Sequence, residues 1–160
     1  MTAANVEIRK ALPADAGAMS ALLIASITQL CGADHGDNPE RIAAWTANKS
    51  PEHIMQWIDQ GETVLLVAEL SDMGLSGVGA AFPDGRIVLN YVHPDARFRG
   101  VSRAMLSALE RHLSELGVVE ASLTATRTAR DFYLAQGWQI CGPEEDDFGF
   151  PGQPMIKQLT

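Results

Sequence analysis

Residues 89–106 constrain the fold more than any other stretch. An apolar run (Leu89, Tyr91, Val92) stops at Pro94, a short basic loop follows, and a helical pattern begins at once. Arg97, Arg99 and Arg103 gather positive charge in a chain whose net charge is -8. Such a cluster against the global sign calls for a local anion. A helix N-terminus offers unpaired amide groups and the positive end of the dipole, which together bind phosphate. Gly100 lets the backbone approach a ligand, since no Cβ stands in the way. The stretch therefore reads as a diphosphate cradle between a strand and a helix. Its bland alternative is a set of solvated arginines at a loop–helix junction.

Neither common nucleotide loop fits better. The chain has no G-x-x-x-x-G-K-[ST], and no G-x-G-x-x-G that follows a strand and opens a helix. Gly77-Val78-Gly79 looks like a beginning, but Pro83-Asp84-Gly85 turns the chain where that helix would run. The glycine pair is expected in a strand or turn.

Arg97-Phe98-Arg99-Gly100-Val101-Ser102 resembles the Q/R-x-x-G-x-G/A signature of the GNAT acetyltransferase superfamily, preceded by the strand end Tyr91-Val92-His93-Pro94. Thr126-x-x-Ala129-x-x-Phe132-Tyr133-x-x-x-Gly137-Trp138 is similar to that family's N-x-x-A-x-x-F-Y-x-x-x-G-F segment. Ser102 replaces the family's glycine or alanine, and Thr126 its asparagine. The resemblance covers nearly the whole chain and is weakest at 31–61. It implies an α+β fold: one domain over 1–160, with a mixed, mostly antiparallel sheet of six or seven strands and about four helices.

Composition agrees with such a domain. A chain of 160 residues buries roughly two-thirds of its unfolded surface. A pI near 4.8 argues against a nucleic-acid binder and weakly favours a cationic substrate. Cys31 and Cys141, without a C-x-x-C, read as reduced thiols of a cytoplasmic protein. Arg9-Lys10 with the apolar residues up to Leu30 imitates a signal peptide. Pro13 and Asp15 interrupt it, and the run is too short to span a membrane. An amphipathic helix with Met19, Leu22, Leu23, Ser26, Ile27 and Leu30 on its core face is expected instead.

Along the chain, Val6-Glu7-Ile8-Arg9 predicts a first strand, and Pro13-Ala14-Asp15 the opening of the first helix. Asp34, His35 and Asp37 match no metal-ligand spacing and read as a solvated loop. By resemblance, that loop looks over the acceptor site. Residues 39–48 and 51–60 read as one broken helix or two short ones, with Ile42, Trp45, Ile54, Trp57 and Ile58 as the apolar side; one tryptophan could wall the acceptor pocket. Residues 63–68 predict a strand covered on both faces, and 77–82 with 86–93 a hairpin. On its second strand Ile87, Leu89, Tyr91 and His93 face one way, and Val88, Asn90 and Val92 the other. A helix from Arg99 to Gly117, a strand over 118–125, and a final helix capped by Thr128 with Asp131 complete the pattern. Glu144-Glu145-Asp146-Asp147 reads as a solvated loop, and 154–159 as an edge strand that tolerates proline.

The resemblance also implies chemistry: transfer of an acetyl or other acyl group from coenzyme A to an amine. Arg97, Phe98, Arg99, Gly100, Val101, Ser102 and Arg103 would hold the diphosphate. Asn90, Tyr91 and Val92 would lend backbone groups to the pantetheine arm and thioester carbonyl, and Thr126 would sit beside the arm. Tyr133 would protonate the departing thiolate, or else merely pack in the core. Relatives often place a glutamate base where this chain has Asn90 and Ala121, and strand alternation turns Glu120 away from that face. The implied acceptor is a small-molecule amine or a protein amino group, with no metal, nucleic acid or membrane partner and room for a homodimer. A coenzyme A-binding module without catalysis is the other class.

Overall fold

The computed structural model describes residues 5–147 and 149–159. Two sheets form its backbone. The first runs β1 (Val6–Lys10), β2 (Val64–Leu70), β3 (Gly74–Ala81) and β4 (Ile87–Val92), in that order and antiparallel throughout. In the second, β8 (Phe150–Gln158) lies between β5 (Glu120–Ala125) and β6 (Gln139–Ile140), and β7 (Glu145–Asp147) pairs with the start of β8. Helices α1 (Ala16–Leu30), α2 (Gly32–His35), α3 (Pro39–Thr46) and α4 (Pro51–Gln60) separate β1 from β2. Helix α5 (Val101–Glu115) joins the two sheets, and α6 (Arg130–Ala135) follows β5. This is the expected α+β architecture with antiparallel pairing.

Both faces of β2 are covered, as its continuous apolar run requires. Leu65 and Val67 meet α1 and α4 in one core; Leu66, Ala68 and Leu70 meet α5 in the other. Gly77 and Gly79 lie in β3 and let α5 come close. A Cβ on Gly77 would stand 2.7 Å from Val101 Cγ1, and one on Gly79 would run into Met105. Helices α3 and α4 begin as their sequences predict. Asn38 accepts the amides of Glu40 and Arg41, Ser50 accepts that of His53, and each helix has proline in its first turn.

Several expectations are corrected. The first helix is entered through a 3-10 turn, Pro13–Asp15, because Asp15 is drawn back to Arg9 at 2.7 Å and to the Leu12 amide at 2.7 Å. Ile87 joins the α5 core while Leu89 and Tyr91 face α1, because the register slips by one residue between Ala80 and Ala81. Residues 145–147 form a strand instead of a loop. β8 is central and not an edge. Its Pro154 is tolerated because its carbonyl, and hence its missing donor, faces the β6 side just beyond that strand's end, where Cys141 supplies the bond at 3.1 Å.

The loop residues Asp34 and His35 are not solvated either, but 6 % and 1 % exposed. His35 Nε2 meets the Ile27 carbonyl at 2.6 Å, and its Nδ1 accepts the Asp37 amide at 3.0 Å. Asp34 accepts from the Arg127 amide (2.6 Å), the Thr128 amide (3.3 Å) and the Thr128 hydroxyl (2.6 Å). That last bond removes Thr128 from the expected capping box. Thr126 takes its place, its hydroxyl accepting the Ala129 amide at 3.1 Å. Asp34 thus clamps the α1–α3 connection to the turn that carries α6. Asp34→Ala should destabilise the fold by about 2 kcal/mol in urea denaturation, more than Thr128→Val, which leaves two of the three bonds in place.

Candidate active site

β4 and β5 run side by side yet pair only at Arg86 and Ser122, a parallel bridge closed by the Ser122 amide on the Gly85 carbonyl at 3.0 Å. Beyond it no ladder joins them among the described residues. The two strands diverge, and a polar backbone edge is left open. The ladder alternation says which groups it offers. The His93 amide bonds to Ser76 in β3 at 2.8 Å, so Tyr91 pairs inward with Val78, while Asn90 and Val92 turn their amides and carbonyls to the gap. Tyr91 presents its side chain elsewhere, into a cleft beside Trp45.

The gap leads to the basic corner. His93 caps a 3-10 turn, Pro94–Ala96, by accepting the Asp95 amide. The backbone then passes through two left-handed residues, Phe98 (φ 64°) and Gly100 (φ 81°), the second of which is the N-cap of α5. No side chain caps that N-terminus. Phe98 is 92 % exposed and does not plug it. The Arg97 guanidinium stacks 4.6 Å from the Phe98 ring, and Arg103 reaches within 4.0 Å of where a Gly100 Cβ would stand. Arg99 is committed differently from its neighbours. It grips Asp72 bidentately at 3.0 Å and holds that carboxyl below its ordinary range, tying the corner to the β2–β3 turn.

Tyr133 stands between gap and core. It packs edge-on against Phe132 (5.2 Å between centroids) and Trp138 (6.0 Å) and is 6 % exposed. Burial pushes its phenol up to about 12, tempered by the Asn90 side chain beside it. Asn90 Nδ2 reaches the Ser102 carbonyl only at 3.5 Å, and its Oδ1 is buried with no partner among the described residues. An orphaned buried acceptor is costly. Here it lies beside the open strand edge, as a site for a polar, amide-bearing ligand would require.

On the other side of β4 lies a cleft of about 1050 Å³, bounded by Trp45, Lys49 and Trp57 above and by β4, β5 and β8 below. Both tryptophans wall it. Sequence reasoning missed Lys49 and Arg86, which line it, and Asp147, which borders it from β7. Lys49 carried no signal because its position depends on how α3 and α4 pack. Cys31 and Cys141 are both unbridged. No cluster able to hold a metal occurs, and no helix is long and apolar enough to cross a membrane, among the described residues.

A sequence profile described as "Acetyltransferase (GNAT) domain" matches residues 33–159. Among solved structures, a GCN5-related N-acetyltransferase from Rhodopseudomonas palustris is 26 % identical, with a TM-score of 0.86 over 99 % of both chains. The PaiA N-acetyltransferase of Thermoplasma acidophilum, solved with coenzyme A, shares 20 % identity and a TM-score of 0.81, over 96 % of this chain and 99 % of that one. The yncA protein of Salmonella typhimurium, solved with acetyl-CoA, shares 18 % and 0.68, over 98 % and 95 %. None of the curated proteins compared matches the chain. With its profile spanning most of the sequence and the same fold recurring along its full described length, the chain belongs to the GNAT acetyltransferase family.

Proposed function

We propose that this chain is a single N-acyltransferase domain over 1–160 that moves an acetyl group from acetyl-CoA to a primary amine of a small molecule or a protein. The observation that carries the reading is the open edge of β4 running into the uncapped N-terminus of α5, with Tyr133 buried alongside. Coenzyme A bound in two structurally similar proteins supports it. The free thiols of Cys31 and Cys141 suit a reducing cytoplasm.

The residues fit the cofactor. The amides of Val101, Ser102 and Arg103, with the guanidinium groups of Arg97 and Arg103, would hold its diphosphate. Arg99 positions the loop through Asp72 and acts there by its backbone. Asn90 and Val92 would pair with the amide-bearing arm as a missing strand would, and Asn90 Oδ1 would gain the donor it lacks. Thr126 borders the same gap at the end of β5. The bound cofactor supplies the activated acyl carbon.

Tyr133 acts as the acid. With acetyl-CoA bound, the phenol would give its proton to the sulfur as the C–S bond breaks and the C–N bond forms, the amine's proton would pass to solvent, and solvent would reprotonate Tyr133. Burial keeps that proton in place at any working pH, because the phenol's ionisation is displaced above its ordinary value. A second reading, a coenzyme A-binding module without turnover, is favoured by one observation. Neither Asn90 nor Ala121, on the two facing strands, is a carboxylate.

Calorimetry with acetyl-CoA should give saturable heat, and coenzyme A release with an amine panel should show turnover. Heat without turnover selects the module, and no heat removes both readings. Tyr133→Phe should lower kcat by about 10² or more with acetyl-CoA affinity unchanged. The pH–rate profile should show no falling limb from this phenol up to about pH 10, since its ionisation lies near 12. Replacing Arg97 and Arg103 by Gln together should weaken acetyl-CoA about tenfold and flatten the salt dependence of binding.

A further inference from the structure

Lysine is seldom buried unless a carboxylate partners it. Lys49 is 7 % exposed, and none of the salt bridges among the described residues includes it. Among the described residues, the groups that its ammonium meets are neutral. Nζ donates to the Asn48 side-chain oxygen at 2.6 Å and lies 6.0 Å from the centroid of the Trp57 ring. The residue is held firmly. Its amide bonds to the Thr46 carbonyl at 3.0 Å, and its own carbonyl accepts the Ser20 hydroxyl at 2.6 Å. It stands at the junction of α3 and α4, on the wall of the cleft that Tyr91 enters from below.

We propose that Lys49 anchors a carboxylate on the acceptor, so that the amine acetylated here belongs to an amino acid or a similar molecule carrying both groups. The inference rests on reading the cleft as the acceptor site. A fixed ammonium with spare donors and no counter-charge is completed by an anion, and a carboxylate gives it two oxygens in a desolvated setting. Burial lowers the affinity of Lys49 for its proton, and an adjacent carboxylate would reverse that effect. The other cation on the cleft wall, Arg86, is already occupied by Asp84 at 2.9 Å and by the Phe82 ring at 4.7 Å. A polyamine would instead bring a second positive charge against Lys49. Asp147 borders the same cleft from β7, but no salt bridge joins it to Lys49 among the described residues.

The test is a titration of the protein, with and without coenzyme A, with each common amino acid and its C-terminal amide, followed by tryptophan fluorescence. Trp45 and Trp57 border the cleft and report on it. At least one amino acid should saturate, and its amide should bind about tenfold more weakly or worse. Lys49→Met should bring acid and amide to the same weak affinity while the heat of coenzyme A binding stays as it was. Binding of no amino acid, equal binding of acid and amide, or a Lys49→Met variant that keeps the preference overturns the proposal. Should that variant fail to fold, the acid–amide comparison on the unaltered chain still decides. Absence of coenzyme A heat overturns the acetyltransferase reading itself, an outcome separate from any of these.

Discussion

Two neighbouring strands that touch at one bridge and then part are the constraint from which the site follows. Had β4 and β5 paired along their length, the amides and carbonyls of Asn90 and Val92 would be spent on a ladder. Because they pair only at Arg86 and Ser122, that edge faces a gap and must find another partner. The parting is built by what lies on either side. β4 is held to β3 by an antiparallel ladder, while β5 is held to β8. Each strand belongs to its own sheet, and the gap is the seam between them.

The second element of the site depends on that seam being next to a helix start. Helix α5 packs on β3 where Gly77 and Gly79 remove the side chains that would hold it off. This close approach brings its N-terminus beside the end of β4, and the left-handed Phe98 and Gly100 let the connection turn sharply enough. Arg99 on Asp72 fastens the corner from outside, and Trp138 Nε1 on Glu110, with Lys157 on the same carboxylate, fastens the far side of α5 to β8. Charge in this molecule is therefore local. An acidic chain keeps a basic corner at a helix start and a buried lysine in a cleft.

Much of the architecture was legible because it rests on local chemistry. Pro39 and Pro51 after Asn38 and Ser50 open helices wherever they stand, and Pro83-Asp84-Gly85 turns a chain between two apolar runs in most contexts. The errors came where a neighbour outbid the local preference. Thr128 has the spacing of a cap, yet its hydroxyl goes to Asp34, ninety-four residues away along the chain. Asp34 and His35 carry the composition of a solvated loop, yet a buried carbonyl and a buried turn claim both side chains. A one-residue slip in the ladder sent Ile87 to the face opposite the one its alternation predicts.

By itself the sequence determined most of the strands and helices, the basic corner at Arg97–Arg103, and Tyr133 as a phenol on the final helix. Those properties depend on residues within one or two turns of each other. Only the tertiary structure decided that β4 and β5 part, that Asn90 Oδ1 has no partner among the described residues, and that Lys49 lines a cleft without a salt-bridge partner among them. Pairing, desolvation and missing counter-charges are relations between segments far apart in the chain, and no local pattern of residues encodes them.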